Sequence, residues 1–250
     1  MTPPAAFAVV VPAKDEAARI ARTVAAVQGI PGAKAVVVVD DGSSDDTSAR
    51  AAAAGADVVR HSRNRGKGAA MTTGAEQVAL LQEKADPGGS WALLFVDADL
   101  EDSAVETAPL AVPVLTGDAD MTIAVLPPQK GGGRGLVVNL SRSGIERATG
   151  WMPTQPLSGM RCLTREAFEA ATPLARGWGV ETGMTIDLLR QGFRVTEVPC
   201  DLRHRVTGTD WRAQLHRARQ YRDVWLALAW RRRNQDRNRR REQGRNRDRG

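Results

Sequence analysis

Cysteine is nearly absent, with Cys162 and Cys200 the only two in 250 residues. Neither belongs to a Cys-x-x-Cys pair or sits beside a His cluster, which excludes a disulfide framework and a zinc site. Both read as buried free thiols in a reducing compartment. Long apolar runs are missing too. Phe7 to Val11 is broken by Pro12 and then by Lys14-Asp15-Glu16, so no secretory leader is expected. Further on, the longest run is Val224 to Trp230, well short of the roughly 20 residues that cross a bilayer. The expected location is cytoplasmic, with peripheral contact at the inner membrane face as an option.

A surplus of one charge is also lacking outside the last segment. The formal charge is +6, but residues 231–250 hold ten Arg against Asp236, Glu242 and Asp248. The remaining residues carry 25 basic and 26 acidic side chains, so the pI of 10.0 describes a tail and not a binding face on the folded part. That tail has no apolar side chains and is expected to be disordered. No aromatics interleave its arginines, so specific nucleic-acid recognition is not expected.

What is present is one core's worth of apolar sequence, at 42% hydrophobic content. Short β-rich runs at Ala6 to Val11, Ala35 to Val39, Asp57 to Arg60 and Trp91 to Val96 alternate with helical stretches at Glu16 to Gln28, Asp46 to Gly55 and Lys67 to Lys84. This alternation predicts an α/β fold with a mainly parallel sheet. The second half predicts a strand at Met121 to Val125, a Gly-rich loop at Pro127 to Gly135, and a helix from Leu136 to Thr149. A strand near Gly159 to Leu163, a helix near Glu181 to Gln191, strands at Phe193 to Val198 and Asp201 to Val206, and a terminal helix over about 209–230 follow.

Polar clusters stand where the strands end, the edge at which open α/β sheets bind ligands. Asp97 and Asp99, one residue apart after a buried strand, suit a hard divalent cation such as magnesium or manganese shared with phosphate oxygens. Alone, the same pair reads as a polar turn or a helix cap. Asp40 and Asp41 can accept hydrogen bonds from a nucleobase and ribose, while Asp45 and Asp46 remain to cap the next helix. Asn64-Arg65-Gly66-Lys67-Gly68 offers close backbone approach and a point charge to phosphate at a helix N-terminus, without P-loop spacing.

Together, Val9 to Glu16, Val38 to Ser43, Arg65 to Gly68 and Phe95 to Leu100 resemble the nucleotide-binding half of GT-A glycosyltransferases, especially those of family 2. The resemblance implies that Pro12, Ala13, Glu16, Asp40, Asp41, Lys67, Gly68 and Asp97 bind a nucleotide diphosphate sugar, and that Asp99 holds the metal with Asp97. Gly131 to Arg134, Gln155 to Gly159 and Gly177 to Gly183 look like segments of glucosyl-3-phosphoglycerate synthases, and Arg203-His204-Arg205 sits where that family places a metal-binding His. By that similarity His204 joins Asp99 at the metal, Glu181 lies near the reacting sugar carbon, and Arg134 and Arg161 meet a phosphorylated acceptor. Asp99, Glu181 and Lys67 form the expected catalytic set. The pattern departs at Leu136 and Val206, where the synthases carry polar residues.

The expected organisation is a single domain over 1–230, with a donor half to about 100, an acceptor half to about 206 and the terminal helix, followed by the tail at 231–250. The expected activity is metal-dependent hexose transfer from a UDP-linked or related sugar to a phosphorylated acceptor. Polyprenyl-phosphate glycosyltransferases offer a second comparison through Ser158-Gly159-Met160-Arg161. Under it the terminal helix, with Trp211, Leu215, Ala218, Tyr221, Trp225 and Leu228 along one face, would lie on a membrane. The alternative is a helix packed on the sheet with a solvated Arg face. A homodimer is a further partner option. Sugar-phosphate nucleotidyltransfer lacks its Gly-rich first loop here, and a non-enzymatic role through the Arg tail is the remaining contrast.

Overall fold

The computed structural model describes residues 3–127, 135–202 and 218–233. Seven strands form one sheet: β1 (Ala6–Ala13), β2 (Ala33–Asp40), β3 (Asp57–Arg60), β4 (Trp91–Phe95), β5 (Met121–Val125), β6 (Arg161–Leu163) and β7 (Val195–Pro199). Their order is β3-β2-β1-β4-β6-β5-β7. Pairing is parallel except around β6, which runs antiparallel to both β4 and β5. The sheet is therefore mixed and mainly parallel.

The helices are α1 (Ile20–Gln28), α2 (Thr47–Ala53), α3 (Lys67–Ala85), α4 (Ala111–Leu115), α5 (Leu136–Thr149), α6 (Arg165–Ala170) and α7 (Val180–Arg190), with α8 at residues 218–233. They cover both sheet faces. Phe7, Val9 and Val11 of β1 pack with Ile20, Val24 and Val27 of α1 on one side. Ala8 and Val10 pack with Met71, Ala75 and Val78 of α3 and with Val180, Met184 and Leu188 of α7 on the other. Two covered faces explain strands that are continuously apolar instead of alternating. Cys162 and Cys200 are buried and free, and burial pushes the Cys200 thiol up to about 11.

Two short elements depart from the sequence expectation. Residues Glu101–Leu110 form a 3-10 helix that runs into α4. Pro109 and Pro113 each remove a backbone donor, which hides any regular α-helical periodicity. Thr23 anchors this segment by donating to the Ala98 carbonyl at 2.8 Å and accepting from the Glu101 amide at 2.9 Å. The expected strand at 201–206 is not seen at Asp201 and Leu202, and its remainder lies outside the described residues.

The tail boundary is also corrected. Helix α8 continues to residue 233, and Arg231 is buried within the fold. Its Nε donates to Asp187 Oδ1 of α7 at 2.8 Å, and its Nη2 pairs with Oδ2 of the same carboxylate. A bidentate pair of this kind holds a cation inside a helix contact that a sequence-based reading assigns to solvent. Ala227 and Val224 lie one and two turns before it on the same buried face. The part of the expected helix before residue 218 lies outside the described residues.

Candidate functional site

The order of strands reverses direction of growth beside β1 and β4, so their carboxyl ends open onto one crevice. The turn after β1 and the turn after β2 are laced together there. The Asp15 amide donates to Ser43 Oγ at 2.9 Å, and the Glu16 amide donates to Thr47 Oγ1 at 2.8 Å. Asp15 returns a carboxylate to the Ser44 amide at 2.8 Å. Lys14 and the Ser44 donors hold that carboxyl down to about 2. Asp45, and not Asp46, supplies the acidic contact at the start of α2, accepting from the Thr47 and Ala17 amides at 3.1 and 3.0 Å.

Asp40 and Asp41 serve these turns from inside. Asp40 is fully buried, and its Oδ1 accepts from the Ser43 amide at 2.8 Å while its Oδ2 takes the Ser48 hydroxyl. Burial works against its charge, yet the Ser43 and Ser48 donors, aided by Arg60, hold its carboxyl below the usual value. Asp41 accepts from the Arg65 amide at 2.7 Å and His61 Nδ1 lies 2.8 Å away on the same oxygen, with the Gly66 amide at 2.7 Å on the other. His61 Nε2 in turn lies 3.0 Å from Thr73 Oγ1 of α3. Both carboxylates were expected against a base and ribose; each accepts from donors of the neighbouring loops, which fixes it at the crevice end of β2. Gly42 completes the turn at φ +72, where a Cβ would stand 2.6 Å from the Arg63 carbonyl carbon. A cleft of about 330 Å³ lined by Gly42, Ser43, Arg60, His61 and Ser62 opens beside it.

The Arg65–Gly68 loop delivers Lys67 across the crevice at the first turn of α3. Lys67 Nζ lies 2.9 Å from Asp97 Oδ1 and 3.0 Å from Glu181 Oε1. Burial opposes the ammonium charge, but the two carboxylates raise its pKa well above the ordinary lysine value. Gly68, expected to approach a donor, is buried against the other half of the chain, where an added Cβ would lie 3.1 Å from the Ala175 carbonyl oxygen and 3.3 Å from Val180 Cγ2. Gly159 brings a third wall so near that a Cβ there would fall 2.4 Å from Lys67 Nζ and 2.7 Å from Asp97 Oδ1. Lys67, Asp97, Gly159 and Glu181 thus converge from α3, the turn after β4, the segment leading to β6, and α7.

Arg161 departs from its expected place at an acceptor. It is 1% exposed and directed into the protein. Its Nε donates to the Ser158 carbonyl at 2.9 Å, Nη2 to Pro156 at 3.0 Å, and Nη1 to the Glu181 carbonyl and Thr185 Oγ1 at 3.1 and 2.8 Å. Burial lowers its pKa to about 10, which leaves it charged at neutral pH. One guanidinium therefore ties the 156–159 loop to the first turn of α7, fixing Gly159 and Glu181 relative to each other. Sequence reasoning placed Arg161 at the acceptor through the family resemblance and assigned it no such tie. Its four protein acceptors come together only in the fold.

Glu16 pairs with Arg19 at 2.7 Å, and burial, with Asp99 among its neighbours, raises its carboxyl. Pro12 and Ala13 close the end of β1 beneath these turns. Asp97 and Asp99 offer hard carboxylate oxygens at the crevice, with Asp97 Oδ1 engaged by Lys67. Among the described residues no three His, Cys, Asp or Glu side chains gather around one point. This donor set fits a divalent ion that takes its other ligands from phosphate and water, and does not make an all-protein cage. His204 and Arg134 lie outside the described residues.

The sequence profile of the family described as Glycosyl transferase family 2 matches residues 8–164. Glycosyltransferase AglJ of Haloferax volcanii is 35% identical over 83 residues, which span 30% of this chain and 27% of that curated relative's length. The glucosyl-3-phosphoglycerate synthase of Mycobacterium tuberculosis in complex with phosphoglyceric acid superposes with a TM-score of 0.69 at 28% identity, covering 89% of this chain and 78% of that one. The complex of that synthase with Mn2+, uridine-diphosphate and phosphoglyceric acid gives 0.68 at 28% identity, over 89% and 77%. Its complex with Mg2+ and uridine-diphosphate gives 0.67 at 27% identity, over 89% and 78%.

Proposed function

Because this chain belongs to glycosyl transferase family 2 and has a GT-A architecture, we propose that it moves a hexose from a UDP-linked sugar to a phosphorylated acceptor. The observation that carries the reading is the bridge from Lys67 to Asp97 and Glu181. It joins the motif that ends the nucleotide-binding half to a helix of the acceptor half, α7. The M. tuberculosis synthase, solved with uridine-diphosphate, a divalent ion and phosphoglyceric acid, supports the same ligand classes.

In this reading Asp99, with Asp97 beside it, would hold a divalent ion, which would supply neutralising charge for a departing nucleoside diphosphate. His204 is proposed as a further ligand. Lys67 keeps a permanent positive charge at the leaving diphosphate, a preorganised electrostatic contribution of the kind that usually dominates such sites. Glu181, oriented by Lys67 and by the Arg161 bond to its carbonyl, faces the sugar near its anomeric carbon. Pro12, Ala13, Glu16 and the 330 Å³ cleft beside Gly42 and His61 form the nucleoside side. Arg134 is proposed to meet the acceptor's phosphate. The acceptor contacts differ from those of the synthases at Leu136, an exposed apolar residue where they carry a polar one.

The test is incubation with UDP-glucose and Mn2+ in the presence of phosphoglycerate or a short polyprenyl phosphate, with product followed by NMR. UDP release coupled to a new anomeric signal supports the reading. Release of pyrophosphate from nucleoside triphosphate and sugar phosphate, without sugar transfer, would replace it with nucleotidyl transfer.

A further inference from the structure

Helix α8 has two faces, and only one belongs to the core. Val224, Ala227 and Arg231 are buried against the 177–183 segment and α7. The other side exposes Tyr221, Trp225, Leu226 and Trp230, with Trp225 at 52% and Trp230 at 59%. Arg219, Arg222, Arg232 and Arg233 are exposed among them. Of the apolar stripe expected from the sequence, Ala218, Tyr221 and Trp225 are exposed, whereas Leu228 lies against Gly144 of α5. The Arg231–Asp187 pair locks the inner face, so the aromatics are held outward and are not a misplaced core stripe.

We propose that this outer face seats on an anionic lipid bilayer surface. Indole and phenol rings combine an apolar body with a polar edge and settle at the headgroup level, and arginines beside them pair with lipid phosphates. The sequence after residue 233 adds seven Arg against three acidic residues, a charge complement to an anionic leaflet. Among the described residues no helix is long and apolar enough to cross the bilayer, so the contact is peripheral.

Position links this surface to the site. The Trp178 amide donates to Asp223 of α8 at 3.4 Å, and Trp178 is itself exposed. A Cβ on Gly179 would stand 2.7 Å from Ala227 Cβ. The segment carrying Glu181 is thus packed directly beneath α8, one helix diameter (~10 Å) from the proposed lipid plane. If the transfer reading above holds, an acceptor phosphate anchored in that surface is within reach of the site. The docking itself stands without that reading.

The experiment is co-sedimentation of the full chain, without donor or acceptor, on phosphatidylcholine vesicles with and without phosphatidylglycerol. Wild type is expected to sediment only with the anionic vesicles. Trp225→Ser/Leu226→Ser, which alters exposed side chains, is expected to keep the wild-type melting curve and UDP binding while its partitioning falls about tenfold or more. Arg222→Glu is expected to weaken binding in the same direction. Unchanged sedimentation of the double variant would assign binding to the arginine tail alone and overturn the proposal. A solution dimer that this variant splits, with no vesicle binding, would assign the face to a second copy and overturn it equally. Retention on single-stranded nucleic acid in place of vesicles would do the same.

Discussion

Lys67 Nζ stands 3.0 Å from Glu181 Oε1, joining the first turn of α3 to the first turn of α7 across the crevice. That contact, with the Asp97 bridge on its other side, makes one site from two halves of the sequence.

Replacing Lys67 with Met keeps the length of the side chain and removes its charge. Turnover is expected to fall by about a hundredfold or more, the scale of losing one preorganised charge at a leaving group. Steady-state assays of UDP release check this, with kcat falling more than KM rises. An unchanged kcat would remove Lys67 from the chemistry.

Gly159→Ala introduces a carbon 2.4 Å from Lys67 Nζ. Because the atom it meets ends a flexible side chain, the fold is expected to survive while Lys67 is displaced and activity drops about tenfold. Melting temperature and kcat/KM measured together separate these effects. Gly42→Ala is expected to behave in reverse, since its clash is with backbone at φ +72, with a loss of stability of about 2 kcal/mol.

Arg161→Met leaves the Pro156, Ser158 and Glu181 carbonyls and the Thr185 hydroxyl without a shared donor. A loss of about 3 kcal/mol in urea unfolding is expected, and Arg161→Lys is expected to recover little, because one ammonium cannot reproduce the planar fork. A variant as stable as wild type would show that these acceptors find other partners.

Asp40 makes stability depend on acid. Its folded pKa lies below the unfolded value of 3.8, so its contribution is fully present above that value and is lost as pH falls through the folded pKa. Asp40→Asn is expected to destabilise the protein by about 1–3 kcal/mol at neutral pH. It should also flatten the fall in melting temperature below pH 3.8. A parallel fall in both proteins would assign the acid sensitivity to other carboxylates.

The sequence made β1 to β4 legible because strands covered on both faces must be apolar throughout, as in Phe7 to Val11 and Leu93 to Val96. It also singled out Lys67, Asp97 and Asp99 by their places at strand ends and a helix start, and Glu181 through the resemblance to glucosyl-3-phosphoglycerate synthases. It could not place Arg161, whose partners come from the 156–158 loop and α7. Nor did it announce the groups that Asp40 and Asp41 accept from, which are backbone amides and the Ser48 and His61 side chains brought near by folding. Arg231 misled for the same reason, having Asp187 as a partner that no local spacing announces.

Calorimetric titration of UDP into wild type and Asp99→Ala, each with Mn2+ and then with EDTA, tests the donor half most directly. Wild type is expected to bind UDP at least about tenfold more tightly with the ion, and Asp99→Ala to bind it equally under both conditions. An Asp99→Ala variant that retains the full manganese dependence would contradict the account.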